Sequence, residues 1–217
     1  MARRSLTEVA DSRAETLDVA VKLASVVGLE GVTIGRLADE LEMSKSGLIG
    51  RFGSKERLQL AALEFAAETF RRIVYEPAAE KPAGLARLSA ICDAWIDYLG
   101  DPPFPGGCFL TTASVEFDAR PGPVHEAVKR VMKQWIGVLE REARTAVERG
   151  ELPADADPKD IAFTINAIGV GTNCDFQLHR DRSALKRARR AMAAVLDARR
   201  PPPPRDGPPA RPDRPSR

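Results

Sequence analysis

The chain of 217 residues contains few of the side chains that metal sites and disulfide-stabilised proteins require. It has three cysteines, Cys92, Cys108 and Cys174, and two histidines, His125 and His179. An odd number of widely separated cysteines does not make a disulfide framework and is typical of a reducing compartment, so we expect a cytoplasmic protein.

Recognisable catalytic motifs are also missing. Cys174 and His179 are five residues apart, whereas a shared helical face would need a spacing of four. Neither G-x-S-x-G nor H-E-x-x-H occurs, and Gly106-Gly107 lacks the Lys-Ser/Thr of a phosphate-binding loop. The sequence therefore predicts no catalytic residue, no metal site and no cofactor, and we expect that the protein is not an enzyme.

The overall charge gives no support for nucleic-acid binding, and the hydrophobicity pattern contains no membrane span. The net charge is +2, and residues 201–217 hold four arginines and two aspartates, so the first 200 residues sum to zero. Residues 1–57 contain nine basic and nine acidic side chains, which means that nucleic-acid binding would have to depend on local arrangement. The longest apolar stretch, 161–170, contains Thr164 and Asn166 and is too short to cross a bilayer, so no membrane partner is expected.

Helical periodicity without a competing strand pattern predicts an all-α fold. The most informative segment spans residues 33–55, which read TIGRLADELEMSKSGLIGRFGSK. Thr33 is a candidate cap of the first helix, Glu42-Met43 is the expected turn, and Ser44 is a candidate cap of the second helix. One apolar stripe on the first helix comprises Ile34, Leu37, Ala38 and Leu41. The pattern predicts a helix-turn-helix.

The second helix of this motif has two different faces. Leu48 and Phe52, four residues apart, form an apolar side that can pack on the first helix. The opposite face carries no acidic residue and can enter a major groove about 12 Å wide. Gly53-Ser54 is expected to end this helix and to cap the next, predicted over Lys55–Tyr75, whose first turn can bind a phosphate.

One more helix precedes the motif. Ser12 and Glu15 have the spacing of a capping box, and Gly28 is expected to end this helix. The three helices share a predicted core and define an expected DNA-binding domain over residues 10–57. A three-helix bundle that binds no nucleic acid remains the alternative from spacing alone.

The identities of these residues resemble the TetR-type bacterial transcriptional regulators. The similarity lies in the segments 31–38 (GVTIGRLA), 43–48 (MSKSGL) and 52–58 (FGSKERL). The resemblance implies that Thr33 and Lys55 contact phosphate and that Lys45, Ser46 and Gly47 lie nearest the base edges. The full set of expected DNA-binding residues is Thr33, Ser44, Lys45, Ser46, Gly47, Ile49, Arg51 and Lys55.

One position departs from the family pattern. Ile49 stands where the family usually has an aromatic residue, often tyrosine, so one hydroxyl contact to phosphate is missing. Arg51 or the N-terminal pair Arg3-Arg4 are the expected substitutes. We also predict that base recognition is modest and depends on Lys45 contacts to guanine together with DNA shape.

The remaining chain reads as a larger helical domain, residues 58–200, followed by a Pro/Arg-rich tail, residues 201–217, with eight prolines and an expectation of disorder. Helices are predicted to end at Gly100 and Gly150. Further helices are predicted to begin at Asp157-Pro158 and at Ser183.

This domain contains most of the aromatic side chains, and we expect some of them to line a pocket for a small apolar or aromatic effector, although large rings are also common in protein cores. The candidate ligand-binding residues are Trp95, Tyr98, Phe104, Cys108, Phe109, Trp135, Phe163 and Phe176.

The resemblance implies a function and a quaternary structure. The expected function is that of a ligand-responsive repressor, which binds double-stranded operator DNA and forms a homodimer through its last two helices. A regulator that senses oxidation through Cys108 or Cys174 is one alternative. A helical adaptor that does not bind DNA is another.

Overall fold

The computed structural model of the chain describes the backbone of residues 6–197 and the side chains from Arg13 onward. The predicted role of Arg3-Arg4 and the predicted disorder of residues 201–217 concern parts of the chain outside the described residues. Within residues 6–197 every regular element is helical, which confirms the all-α prediction. The helices are α1 (Leu6–Val27), α2 (Ile34–Glu40), α3 (Lys45–Phe52), α4 (Lys55–Phe70), α5 (Glu76–Ala79), α6 (Leu85–Gly100), α7 (Phe109–Glu116), α8 (Pro123–Glu148), α9 (Pro158–His179) and α10 (Ser183–Asp197).

The helices α1, α2 and α3 form the predicted three-helix unit around one core. Its centre contains Val21, Leu37 and Leu48, which are all fully buried. The prediction that α1 begins at a Ser12 cap is wrong, because the helix begins at Leu6. No glycine or proline lies between these two positions, so nothing stops the helix from extending by another turn and a half. Its end at Gly28, with φ of 80°, is confirmed.

The α-helix predicted over Lys55–Tyr75 is shorter in the structure, because α4 ends at Phe70. A π-helical turn at Arg71–Tyr75 joins it directly to α5, so the chain stays helical to Ala79. Pro77 has no amide hydrogen to donate to the carbonyl of Ile73, and its ring would clash there in a regular α-helix. The wider π turn removes this conflict, and such turns are frequent at functional sites.

The larger half is a bundle in which α8 packs on α9, α9 on α10, and α6 on both α8 and α10. Leu88, Leu139 and Ile165 lie fully buried at its centre. Helix α10 begins at Ser183, but the Asp181 carboxylate accepts the amide of Ser183 at 2.8 Å. The predicted start of α10 at Ser183 is confirmed, and Asp181, not Ser183, is the residue that caps it.

The described residues contain neither a membrane-spanning helix nor a cluster of metal-ligating side chains. No helix within residues 6–197 is long and apolar enough to cross a membrane. In the same part of the chain, no three histidine, cysteine or acidic side chains lie together in a way that would hold a metal ion.

Candidate functional site

The tight turn between α2 and α3 sets the position of the second helix. Glu42 adopts φ of 51°, an uncommon conformation for a residue other than glycine, and the Met43 amide donates to the Ala38 carbonyl at 2.9 Å. The Ser44 hydroxyl then accepts the amide of Gly47 at 3.1 Å and caps α3. The predicted turn and this cap are confirmed, and the two helices have the arrangement of a helix-turn-helix.

The outer face of α3 is exposed as the sequence indicates. Lys45, Ser46 and Gly47 are open to solvent, and Ile49 is 51% exposed, whereas Leu48 is fully buried against the core. Ile49 lies one helical turn after Lys45, so the two side chains share the exposed face of α3.

Lys45 lies across α2. A Cβ atom added to Gly35 would be in ordinary van der Waals contact with the end of the Lys45 side chain, 3.5 Å from its ammonium nitrogen. Thr33 is also exposed at the start of α2, and its hydroxyl accepts the amide of Arg36 at 3.1 Å. Both side chains are placed at the same end of the motif as the first turn of α3.

Arg51 is directed toward the core of the unit, not away from it. Its guanidinium donates to the Thr16 hydroxyl on α1, and its carbonyl accepts a hydrogen bond of 3.3 Å from Arg13. The Arg13 guanidinium in turn lies 4.9 Å from the centre of the Phe52 ring. Arg51 therefore holds α3 against α1. This contact between two helices could not be predicted from the position of Arg51 on α3.

Lys55 begins α4 in an electrostatic cluster with a different part of the chain. Its ammonium lies 2.5 Å from the Glu30 carboxylate, which also accepts a hydrogen bond of 3.0 Å from Gln59. The bond from Lys55, followed by that from Gln59, lowers the pKa of Glu30. The ammonium predicted to bind phosphate is thus paired with a carboxylate in the free protein.

A cavity of about 930 Å³ lies between α4, the π turn, α7 and α8. Its floor is apolar, and charged side chains surround its opening. The lining residues are Leu60, Leu63, Glu64, Ala67, Glu68, Phe70, Arg71, Tyr75, Leu110, Ala127, Arg130, Val131, Gln134, Trp135, Val138 and Arg141. The volume suits one drug-sized molecule.

Of the eight side chains predicted to bind a ligand, Trp135 is the one among these lining residues. Its ring packs edge-on against Phe70 with centroids 4.9 Å apart. Trp95 and Tyr98 also pack edge-on against Phe70 in the core, and the centroids of the Trp95 and Trp135 rings lie 5.0 Å apart. Phe70 was not among the predicted ligand-binding residues, although its spacing of seven residues from Leu63 indicates a shared face of α4.

The other predicted ligand residues lie away from this cavity. Four of them are buried: Phe104, Cys108, Phe109 and Phe176. The ring centroids of Phe104 and Phe109 lie 6.5 Å apart. Phe163 is 73% exposed on α9. Sequence spacing did not separate these cases, because buried, cavity-lining and solvent-facing aromatics all occur on amphipathic helices.

Ion pairs order most of the charged rim. Arg71, on the π turn, binds Glu68 at 2.5 Å and Glu76 at 2.8 Å. Arg141 binds the fully buried carboxylate of Glu142 at 3.1 Å. Since these arginines have acidic partners, the rim has no large excess of charge, and the apolar floor dominates what the cavity can bind.

The cysteines occupy two kinds of environment. Burial raises the pKa of the Cys92 thiol to about 12 and also raises that of Cys108. Since the thiolate is the reactive form, both side chains are poor candidates for oxidation sensing. Cys174 is exposed on α9. The proposal of a thiol sensor thus loses the support of Cys108.

A stripe of exposed small and apolar residues runs along α9, which we call the α9 seam: Phe163, Ala167, Gly171, Cys174 and Leu178. Its two large members, Phe163 and Leu178, are 73% and 77% exposed. A Cβ atom added to Gly171 would meet nothing within 4 Å. Exposed apolar side chains at this helical spacing are typical of a surface that another helix covers.

Comparisons with known proteins agree with this arrangement. Residues 17–62 match the family model described as bacterial regulatory proteins, tetR family, and residues 84–192 match that described as tetracyclin repressor-like, C-terminal domain. A comparison with curated proteins gave no significant match.

Solved structures share the whole fold. A TetR transcriptional regulator from Chloroflexus aurantiacus is 25% identical, with 90% of this chain and 98% of that chain covered and a TM-score of 0.83. A TetR-family regulator from Streptomyces coelicolor is 21% identical over 87% and 96%, with a TM-score of 0.74. AibR, solved with isovaleryl coenzyme A and operator DNA, is 19% identical over 84% and 96%, with a TM-score of 0.66.

Proposed function

Because the chain belongs to the TetR family of bacterial transcriptional regulators, we propose that it is an operator-binding repressor whose affinity for DNA falls when a small apolar or aromatic effector binds. Family membership confirms that the chain is a regulator and not an enzyme. Operator binding would place the protein in the bacterial cytoplasm.

The observation that carries the proposal is that α4 takes part in both regions. Lys55 begins this helix beside the helix-turn-helix, and Phe70 ends it in the wall of the cavity. We propose residues 10–57 as the DNA-binding region and residues 58–200 as the effector and dimerisation region. A bound molecule that shifts α4 would then change the position of Lys55, provided that it has different affinities for the two arrangements.

The apolar floor of the cavity favours the chemistry of the proposed effector. Phe70, Trp135 and Leu63 offer ring and aliphatic surface, and burial of such surface contributes about 25 cal/mol per Å². AibR, which is similar in fold, was solved with both a small molecule and operator DNA. This supports the idea that one chain of this fold can hold both.

We propose that two copies associate through α9 and α10, with the α9 seam at the centre. Gly171 lies near the middle of the seam, about 12 Å along the helix from Phe163 and about 10 Å from Leu178. If a two-fold axis passes beside Gly171, Phe163 of one copy meets Leu178 of the other. Such a dimer presents two copies of α3 to successive turns of DNA.

The test of DNA binding begins with selection of a duplex from a random-sequence library by the purified protein. Affinity for the selected duplex and for a scrambled duplex is then measured at fixed salt concentration. Lys45→Ala should reduce discrimination between them by about five- to 150-fold, since one good base contact contributes about 1–3 kcal/mol. Lys55→Ala should weaken both affinities and reduce the slope of log affinity against log salt by about one.

Lys133→Ala provides the matched control, because Lys133 is an exposed lysine on α8, in the other half of the chain and outside both the cavity lining and the α9 seam. It should change neither affinity. Failure to select any duplex would contradict the proposal and would favour the adaptor without DNA binding. Unchanged discrimination in Lys45→Ala would contradict the base-reading role of that residue.

A further inference from the structure

The turn that follows α1 is held by a side chain from the other half of the chain. The Glu116 carboxylate, at the end of α7, accepts the amide of Leu29 at 2.7 Å and the amide of Glu30 at 2.9 Å. Gly28 makes this approach possible, because a Cβ atom there would lie 2.7 Å from a Glu116 oxygen. Hydrogen bonds from amides to a carboxylate are among the stronger ones in proteins.

The same turn is bonded to the start of α4. Glu30 pairs with the Lys55 ammonium at 2.5 Å and with the Gln59 amide at 3.0 Å. Gln59 also donates to the Leu29 carbonyl at 3.1 Å. The backbone that Glu116 fixes is therefore the backbone that carries the carboxylate partner of Lys55.

Helix α7 connects this turn to the cavity. Leu110 lines the cavity, and Glu116 lies six residues later in the same short helix, about 9 Å away along the axis. A helix of eight residues moves as one body, so a displacement of Leu110 also moves the Glu116 carboxylate. The contacts thus continue from the cavity wall to the Lys55 ammonium.

We propose that Glu116 is a positioning residue for DNA binding: it holds Glu30 against Lys55, so that a DNA phosphate must compete with Glu30 for that ammonium. The inference rests on the proposed function and adds a named route by which the cavity regulates it. Movement of α7 changes the strength of this competition, and with it the affinity for DNA.

The test uses the full-length protein and the duplex obtained by selection, with Glu30→Gln and Glu116→Gln made both alone and together with Lys55→Ala. Glu30→Gln removes the competing charge and should tighten binding about two- to fivefold, the range expected for a partly exposed ion pair. Glu116→Gln places an amide donor against a backbone amide and should tighten binding in the same direction, by no more than Glu30→Gln.

The combined variants separate positioning from general loosening. Neither substitution should change affinity once Lys55 is alanine, and Glu30→Gln with Glu116→Gln should bind no more tightly than Glu30→Gln alone. Hydrogen exchange at the amides of Leu29 and Glu30 should become faster in Glu116→Gln.

Ser25→Ala is the matched control. It removes another hydrogen bond between the two halves, from the Gly106 amide to the Ser25 hydroxyl at 3.0 Å, without touching the turn that carries Glu30. It should leave DNA affinity unchanged.

Several results would overturn the inference. If Lys55→Ala weakens binding but Glu30→Gln and Glu116→Gln do not alter it, Lys55 contacts DNA without competition and only this inference fails. Effects that persist in the Lys55→Ala background, or an equal effect of Ser25→Ala, would also contradict it. If no duplex is selected at all, the proposed function fails first, and the inference fails with it.

Discussion

Replacing Gly171 by alanine separates the stability of one subunit from the affinity between two. In an isolated subunit the substitution should be favourable, because a Cβ atom at this position meets nothing within 4 Å and alanine is a better helix former by about 1 kcal/mol. Gly137, on α8, is equally open and provides the matched control. Both variants should therefore raise the free energy of unfolding of the monomer to a similar extent.

The two variants should differ in dimer affinity if the α9 seam is the interface. Covering Phe163 and Leu178 in both copies would contribute about 1.5–3 kcal/mol for each side chain, or about 6–12 kcal/mol before the cost of association. Two opposed methyl groups at Gly171 would separate the helices, and a gap of 0.5–1 Å forfeits about a quarter or more of close contact energy. We expect a loss of about 1.5–3 kcal/mol, or about ten- to hundredfold in the dissociation constant.

Sedimentation equilibrium over a range of protein concentrations measures this constant, and urea unfolding at low concentration measures the stability of the monomer. Gly137→Ala should leave the dimer unchanged. A Gly171→Ala dimer as tight as the Gly137→Ala dimer would refute the argument that the helices cross at this glycine. A wild-type monomer at micromolar concentration would refute the dimer itself.

Two other predictions concern stability and thiol chemistry. Phe70→Ala should lower the free energy of unfolding by about 3–5 kcal/mol, since it removes a buried ring that contacts three aromatic neighbours. Ile49 is exposed, so Ile49→Ala should change the free energy of unfolding by about 0.5 kcal/mol or less. Equal urea midpoints for the two variants would contradict this prediction. A thiol reagent at pH 8 should modify Cys174 faster as the dimer is diluted. It should modify Cys92 and Cys108 only on unfolding, because both are buried and their raised pKa keeps each thiol in its neutral, unreactive form. Rapid labelling of all three in the folded protein would show that the core opens readily.

The helix-turn-helix could be predicted from sequence because the signals that define it are local. The hydroxyls of Thr33, Ser44 and Ser54 each accept the amide three residues later, and the apolar spacing of α2 and α3 gives the faces that pack. These interactions involve residues within about one helical turn, so a short segment contains all of the information. The prediction failed at Ser12, where a valid capping pattern lies inside a longer helix.

The cavity was predicted only as a possibility, and most of its wall was not identified. Trp135 was expected there, but Phe70 was not, and Phe163 is exposed on α9, a helix that contributes no residue to the lining. Periodicity shows which side of a helix is apolar. It does not show whether that side meets another helix, a cavity or a second subunit, because this depends on the angles and distances between helices.

The sequence by itself determined the all-α fold, the helix-turn-helix and the family, because caps, breakers and helical spacing act over a few residues. Only the tertiary structure decided which side chains meet. Arg51 binds Thr16 on α1, and Glu116 binds the amide of Leu29, 87 residues away along the chain. From the sequence alone, the Glu116 carboxylate could pair with many different hydrogen-bond donors. The packing of the helices leaves it next to the turn that carries the partner of Lys55.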